Sequence, residues 1–132
     1  MKKAYLAISY SNRKLFDKEV EILIELCIKN NIQLLVFVDE YNFDENEEKE
    51  MMETAFQEID KSDFLIAELT TKSIGVGIEI GYAFAKEKPI LYLRKKGSEY
   101  STTASGSSSY IIEYENEFDL RKLINKFLKR FN

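Results

Sequence analysis

The stretch Ser73–Ala85, SIGVGIEIGYAFA, places one carboxylate, Glu79, among apolar neighbours and three glycines, Gly75, Gly77 and Gly81. The chain contains no histidine and one cysteine, Cys27. Serine–histidine and cysteine–histidine nucleophile pairs, histidine bases and histidine metal ligands are therefore excluded. Any catalysis falls to carboxylates, hydroxyls, tyrosine phenols, lysine or arginine. Each glycine inside a helix costs about 0.5–1 kcal/mol relative to alanine, so three cost roughly 2–3 kcal/mol. Two gains can offset that cost. Glycine lets a neighbouring backbone or a ligand approach closely, and a helix start offers unpaired N–H groups to an anion, phosphate above all. Ser73 is a natural N-cap whose hydroxyl is equally placed to face a phosphate. Helical spacing puts Gly75, Glu79 and Tyr82 on one face and Ile74, Ile78 and Ala85 on another. A carboxylate one turn above the helix start then looks toward the strand ends. Plain helix–sheet packing of the glycines and an exposed helix glutamate are the competing readings. The stretch is neither a Walker loop nor a GxGxxG turn after the first strand.

These residues must be positioned by elements that the hydrophobic pattern marks out. KAYLAIS (3–9) reads as a strand. Leu15, Phe16, Val20, Ile22, Leu23, Leu26 and Cys27 recur at helical spacing, and Asn30 and Asn31 end that helix. IQLLVFV (32–38) reads as a second strand, buried on both faces by its near-continuous apolar run. Residues 39–53 carry eight acids, read as a loop and a solvated helix start that continues through Met51, Met52, Ala55, Phe56 and Ile59. DFLIAEL (63–69) is a third strand, followed by the glycine-bearing helix to about Glu87, which Pro89 ends. ILYL (90–93) and YIIEY (110–114) are the fourth and fifth strands, joined by a small, hydroxyl-rich segment, 97–110. Phe118, Leu120, Leu123, Ile124, Phe127, Leu128 and Phe131 give a last helix its apolar face, either core or an interface. Alternating strands and helices predict one α/β domain over residues 1–132. The expected architecture is a three-layer sandwich around a five-stranded, mostly parallel sheet, flavodoxin-like or Rossmann-like. Ligands bind such sheets beyond the carboxyl ends of the strands, here near Ser9, Tyr10, Asp39, residues 68–71 and Arg94.

Composition narrows the partners. Net charge is −4, and Arg94, Lys95 and Lys96 form the one short basic cluster, so nucleic acid is a poor fit. No apolar run approaches a membrane span, and the MKKAYLAIS start lacks the long apolar region of a signal peptide. A cytoplasmic location is expected. Cys27, in ILIELCIK, reads as a buried helix thiol.

The residues Asp63–Leu93 resemble the nucleoside 2-deoxyribosyltransferase family, most nearly its hydrolytic branch, the 2′-deoxynucleoside 5′-phosphate N-hydrolases. The shared signature is Asp63 opening the strand, Glu68 near its end, then Ser73, Gly75, Gly77, Glu79 and Gly81. The resemblance implies that Glu79 is a nucleophile attacking the anomeric carbon of a deoxyribose and that Tyr5 positions it. It implies that Ser9 and Ser73 hold a 5′-phosphate with the Gly75 backbone N–H, and that Gly77 belongs to the same substrate-binding turn. Ser101 is the nearest match to a serine that the partner subunit lends to the phosphate site. It further implies a nucleoside or nucleotide substrate, a homodimer or larger assembly, and no metal or organic cofactor. Two positions depart from the pattern. Ala55 stands where the family carries an aspartate that contacts the sugar and helps the base leave, with Glu58 one turn on. Ile8 and Ser11 stand where the first loop has a glycine and an arginine, with Arg13 nearby. AISYSNRKLFDKEVEILIEL also resembles the opening of TIR domains, which use a helix glutamate to cleave the N-glycosidic bond of NAD. A TIR-like NAD-cleaving or signalling module, and a nucleotide-binding protein that has lost catalysis, are the alternatives.

Overall fold

The computed structural model describes residues 1–132. Five strands, β1 (Lys2–Ile8), β2 (Ile32–Val36), β3 (Phe64–Glu68), β4 (Ile90–Lys95) and β5 (Tyr110–Tyr114), form one sheet in the order β2-β1-β3-β4-β5. Every neighbouring pair is parallel. The order reverses between β1 and β3, and that reversal opens a crevice at the carboxyl end of the sheet. This is the expected three-layer architecture. Helices α1 (Asp17–Lys29) and α6 (Glu117–Leu128) cover one face, over a core containing Leu6, Leu23, Phe64, Leu91 and Ile124. Helices α3 (Glu48–Asp60) and α4 (Ile74–Ala85) cover the other, over Tyr5, Ile59, Leu65, Ile80 and Tyr92. No helix is long and apolar enough to cross a membrane.

Local chemistry explains the element boundaries. Asn30 caps α1 through its backbone N–H, and Asn31 takes the left-handed conformation at φ 59° that turns the chain into β2. Ser73 caps α4 by accepting the Val76 N–H at 3.3 Å. Asp63 ties the start of β3 to β1, its carboxylate accepting the Lys3 N–H at 2.8 Å while its own N–H donates to the Lys3 carbonyl at 2.7 Å. Glu68 does the same work at the other end. Buried there, it accepts the Thr70 N–H at 2.7 Å, the Thr70 hydroxyl at 2.8 Å and the Tyr114 phenol at 2.9 Å. Burial raises its pKa above the ordinary carboxylate range even so.

Three expectations need correction. The second strand ends at Val36, and Phe37–Glu40 is a short helix, α2. β2 is also the edge of the sheet, so Gln33 is exposed and Leu34 and Leu35 only half covered. The hydroxyl-rich segment contains a helix, α5 (Thr102–Ser107), started by Ser101 accepting the Ala104 N–H at 3.1 Å. Of the two readings of the α6 apolar face, the core reading describes Leu120, Ile124, Phe127 and Leu128, which are buried, while Phe118 is exposed. The basic cluster at the end of β4 is neutralised by Arg94–Glu113 at 2.7 Å and Lys96–Glu115 at 3.1 Å. Cys27 is buried, which pushes its thiol up to about 12 and leaves it inert.

Candidate active site

The crevice at the sheet reversal is a cleft of about 450 Å³. Ser9 enters just beyond β1, Ser73, Gly75 and Glu79 come from the cap and first turns of α4, and Ala55 of α3 lines it as well. The opposite wall is the segment that follows β2, from Phe37 through Glu48. Tyr5 lies beneath, fully buried in β1, and donates its phenol to a Glu79 carboxylate oxygen.

That contact sets the electrostatics. Burial raises Glu79 from 4.5 to about 7, while the hydrogen bond from Tyr5 pulls in the opposite direction. Burial and the Glu79 charge both push Tyr5 far above its ordinary value, so its phenol keeps its proton and remains a donor. A carboxylate with one oxygen held by a fixed donor presents the other to the cleft. Of the remaining polar groups, Ser9 accepts from the Asn12 amide at 3.5 Å, and the same amide donates to Thr71 at 3.2 Å. Asn12 thereby links the loop after β1 to the turn before α4 and fixes the two serine-bearing edges relative to each other.

The glycines divide. A Cβ added at Gly75 would meet only the Ser73 hydroxyl at 3.9 Å, and at Gly77 or Gly81 nothing within 4 Å. Packing within the chain therefore does not demand glycine at any of the three. Gly77 and Ser101 line a separate depression of about 390 Å³ between α4 and α5. Ser73 borders both hollows. Tyr82 turns to α3, stacking on Phe56 at 4.3 Å and donating to Asp60 at 2.9 Å. Neither substitute for a departed family residue reaches the cleft. Glu58 is buried under Tyr41, accepting its phenol at 2.8 Å and Lys3 Nζ at 3.2 Å. Arg13 is clamped by Asp39 and Asp17, each at 2.8 Å.

Sequence reasoning missed the aromatic wall. Phe37, Tyr41 and Phe43 stack on one another at 5.0–6.3 Å, and Phe37 packs on Tyr5 at 5.8 Å. The one available signal was the aromatic spacing in FVDEYNF, hidden by the acids around it.

The model of the family described as nucleoside 2-deoxyribosyltransferase matches residues 4–123. The chain belongs to that family. The match runs from β1 into α6, so it includes every side chain of the cleft described above. A Methanosarcina barkeri protein, provisionally named 2′-deoxynucleoside 5′-phosphate N-hydrolase 1, is 35% identical over 71 residues, 52% of this chain and 45% of that relative. Its Methanosarcina mazei counterpart is 34% identical over 74 residues, 54% and 46% of the two chains. The match thus spans less than half the length of these curated relatives. Among solved structures, the CMP N-glycosidase of Clostridium botulinum has a TM-score of 0.71 at 21% identity, covering 96% of this chain and 99% of that one. The 2-deoxyribosyltransferase of Bacillus psychrosaccharolyticus has the same TM-score at 16% identity, covering 96% and 95%. Likeness at these identities shows a shared nucleoside 2-deoxyribosyltransferase fold.

Proposed function

We propose that this chain is an enzyme that cleaves or transfers the N-glycosidic bond of a nucleoside or its 5′-monophosphate, with Glu79 as the nucleophile. The observation that carries this reading is Glu79 held by Tyr5 at the floor of the cleft. The free Glu79 oxygen attacks the anomeric carbon as the bond to the base breaks. Carboxylate charge stabilises the oxocarbenium character that develops and then closes on it as a glycosyl ester. Water releases the sugar in hydrolysis, or a second base accepts it in transfer. Tyr5 holds the carboxylate in line and lowers the cost of its ionised form. Ser9, Ser73 and the Gly75 N–H grip the 5′ end of the sugar. The names of the curated relatives and of the structural neighbours support the bond type. A cytoplasmic location fits such a substrate and the free thiol.

The reading is tested by incubating the protein with deoxynucleosides, ribonucleosides, their monophosphates and NAD, and following free base or nicotinamide. Base release from a nucleoside or nucleotide that disappears in Glu79→Ala supports it. Nicotinamide release from NAD alone points to the TIR-like alternative, and binding without turnover to the catalytically impaired one.

Gly77 and Ser101 enter this scheme only through a second copy of the chain. On the outward side of α4, Ile74 is 85% exposed and Ile78 48%, next to the depression that holds both residues. We propose a homodimer through this face, with Ser101 reaching the partner's cleft. Sedimentation should give a dimer for the wild type and a monomer for Ile74→Asp/Ile78→Asp; a monomeric, fully active wild type contradicts the assignment.

A further inference from the structure

Four carboxylates, Asp44, Glu45, Glu48 and Glu79, line the cleft, and no lysine or arginine does. Of the cations that flank its walls in sequence, Lys49 is exposed and lies outside the cleft lining, and Arg13 and Lys72 are engaged elsewhere. Arg13 is held bidentately by Asp39 and again by Asp17. Lys72 borders the depression between α4 and α5 and lies 3.9 Å from Glu99. At the start of α4 the Val76 N–H is already used by the Ser73 hydroxyl and the Gly77 N–H by the Ser73 carbonyl. What remains there is neutral donors, which suit a hydroxyl as well as an anion. Asp44, Glu45 and Glu48 are exposed and follow directly on the aromatic wall, while Glu47 turns back to accept the Asp44 N–H at 2.9 Å. Carboxylates beside aromatic faces attract a cation and repel an anion.

We propose, on the reading of Glu79 as the glycosidic nucleophile, that the substrate is a nucleoside bearing a positively charged, N-alkylated base and a free 5′-hydroxyl. Asp44, Glu45 and Glu48 are its specificity-determining residues. The chemistry of departure agrees. When a Glu79 oxygen bonds to the anomeric carbon, the electron pair of the breaking C–N bond passes to the cationic ring nitrogen. The base leaves neutral and needs no proton from the protein. Water then adds its hydroxyl to the anomeric carbon, its proton goes to solvent, and the Glu79 carboxylate is restored. Ala55, which lines the cleft, supplies no acid for a leaving group, and this leaving group requires none.

An alkylated base is intrinsically a faster leaving group, so the test is read in binding to Glu79→Gln, which cannot turn over. Guanosine, 7-methylguanosine and their 5′-monophosphates are titrated calorimetrically at pH 6 and low salt, beside nicotinamide riboside and its uncharged dihydro form. Each charged base is expected to bind more tightly than its neutral counterpart. 7-Methylguanosine is expected to bind at least about tenfold more tightly than guanosine 5′-monophosphate. Salt narrows both gaps. Adding Asp44→Asn, Glu45→Gln and Glu48→Gln, all exposed positions, flattens them. Loss of the charge preference in both base pairs, tighter binding of the monophosphates, or no binding of any ligand overturns the proposal. If the preference is lost while the wild type still releases base in a Glu79-dependent manner, charge selection falls alone. If no nucleoside or nucleotide is cleaved, the glycosidic reading itself falls.

Discussion

Glu79→Gln should lose at least about 10³-fold in base release and yet be the more stable protein at pH 8. The two effects share one cause. Glutamine keeps an acceptor for the Tyr5 phenol and nearly the shape of glutamate, but it has no oxygen able to form the glycosyl ester. The stability gain follows from linkage. Burial raises the folded-state pKa of Glu79 to about 7 from 4.5. Between those values the folded chain holds a proton that the unfolded chain has released, so stability falls as pH rises through the window. Above it, the ionised carboxylate costs about 2–3 kcal/mol, the full linkage value reduced for the side chain's remaining contact with solvent. Urea titrations should therefore separate variant from wild type by that amount at pH 8 and bring them nearly together at pH 5. A glutamate merely decorating a helix would show neither the loss nor the gain. In the wild type the same ionisation should appear in activity, with kcat/KM rising as pH increases through about 7 as the nucleophile loses its proton.

Tyr5→Phe should lower base release about 10–100-fold at pH 7 and move the pH midpoint of kcat/KM upward. The phenol is fully buried and donates to Glu79, so its removal takes away the interaction that opposes the effect of burial on that carboxylate. The pKa of Glu79 then rises further, and a smaller fraction is ionised at neutral pH. Raising the pH recovers the part of the loss due to protonation. The part due to a carboxylate no longer held in line persists as a lower plateau. Phenylalanine fills the same volume beside Phe37, 5.8 Å away, so the fold should tolerate the change. A midpoint that does not move would mean that Tyr5 supports the sheet and not the acid.

The sequence carried the sheet because each strand is a short apolar run bounded by polar residues, and helical spacing separates them. Strand order is not written in periodicity, which is why β2 looked doubly buried. Only its placement at the edge exposes Gln33. The apolar run through Val38 hid the turn into α2, and that turn swings Tyr41 and Phe43 over the cleft. Helix α5 was illegible because serine, threonine and glycine have weak helix propensity, and it forms where Ser101 caps it and Ala104 buries against the sheet. Glu79, Ser9, Ser73 and Gly75 could be read from spacing and resemblance, and they line one cleft over the buried Tyr5. Gly77 and Ser101 sit across α4, a division that one-dimensional spacing does not reveal. The acids of segment 44–48 read as a solvated helix start. Their position over the cleft depends on tertiary stacking of Tyr41 and Phe43, just before them.

Covalent capture tests the nucleophile most directly. A nucleoside substrate carrying fluorine at the 2′ position slows breakdown of the glycosyl ester, so the adduct can accumulate. After trypsin digestion the Ser73–Lys86 peptide should gain the mass of the fluorinated sugar, with fragmentation placing it on Glu79 rather than Tyr82. Release of the base with that peptide at its unmodified mass, or an adduct on any other residue, would contradict the account.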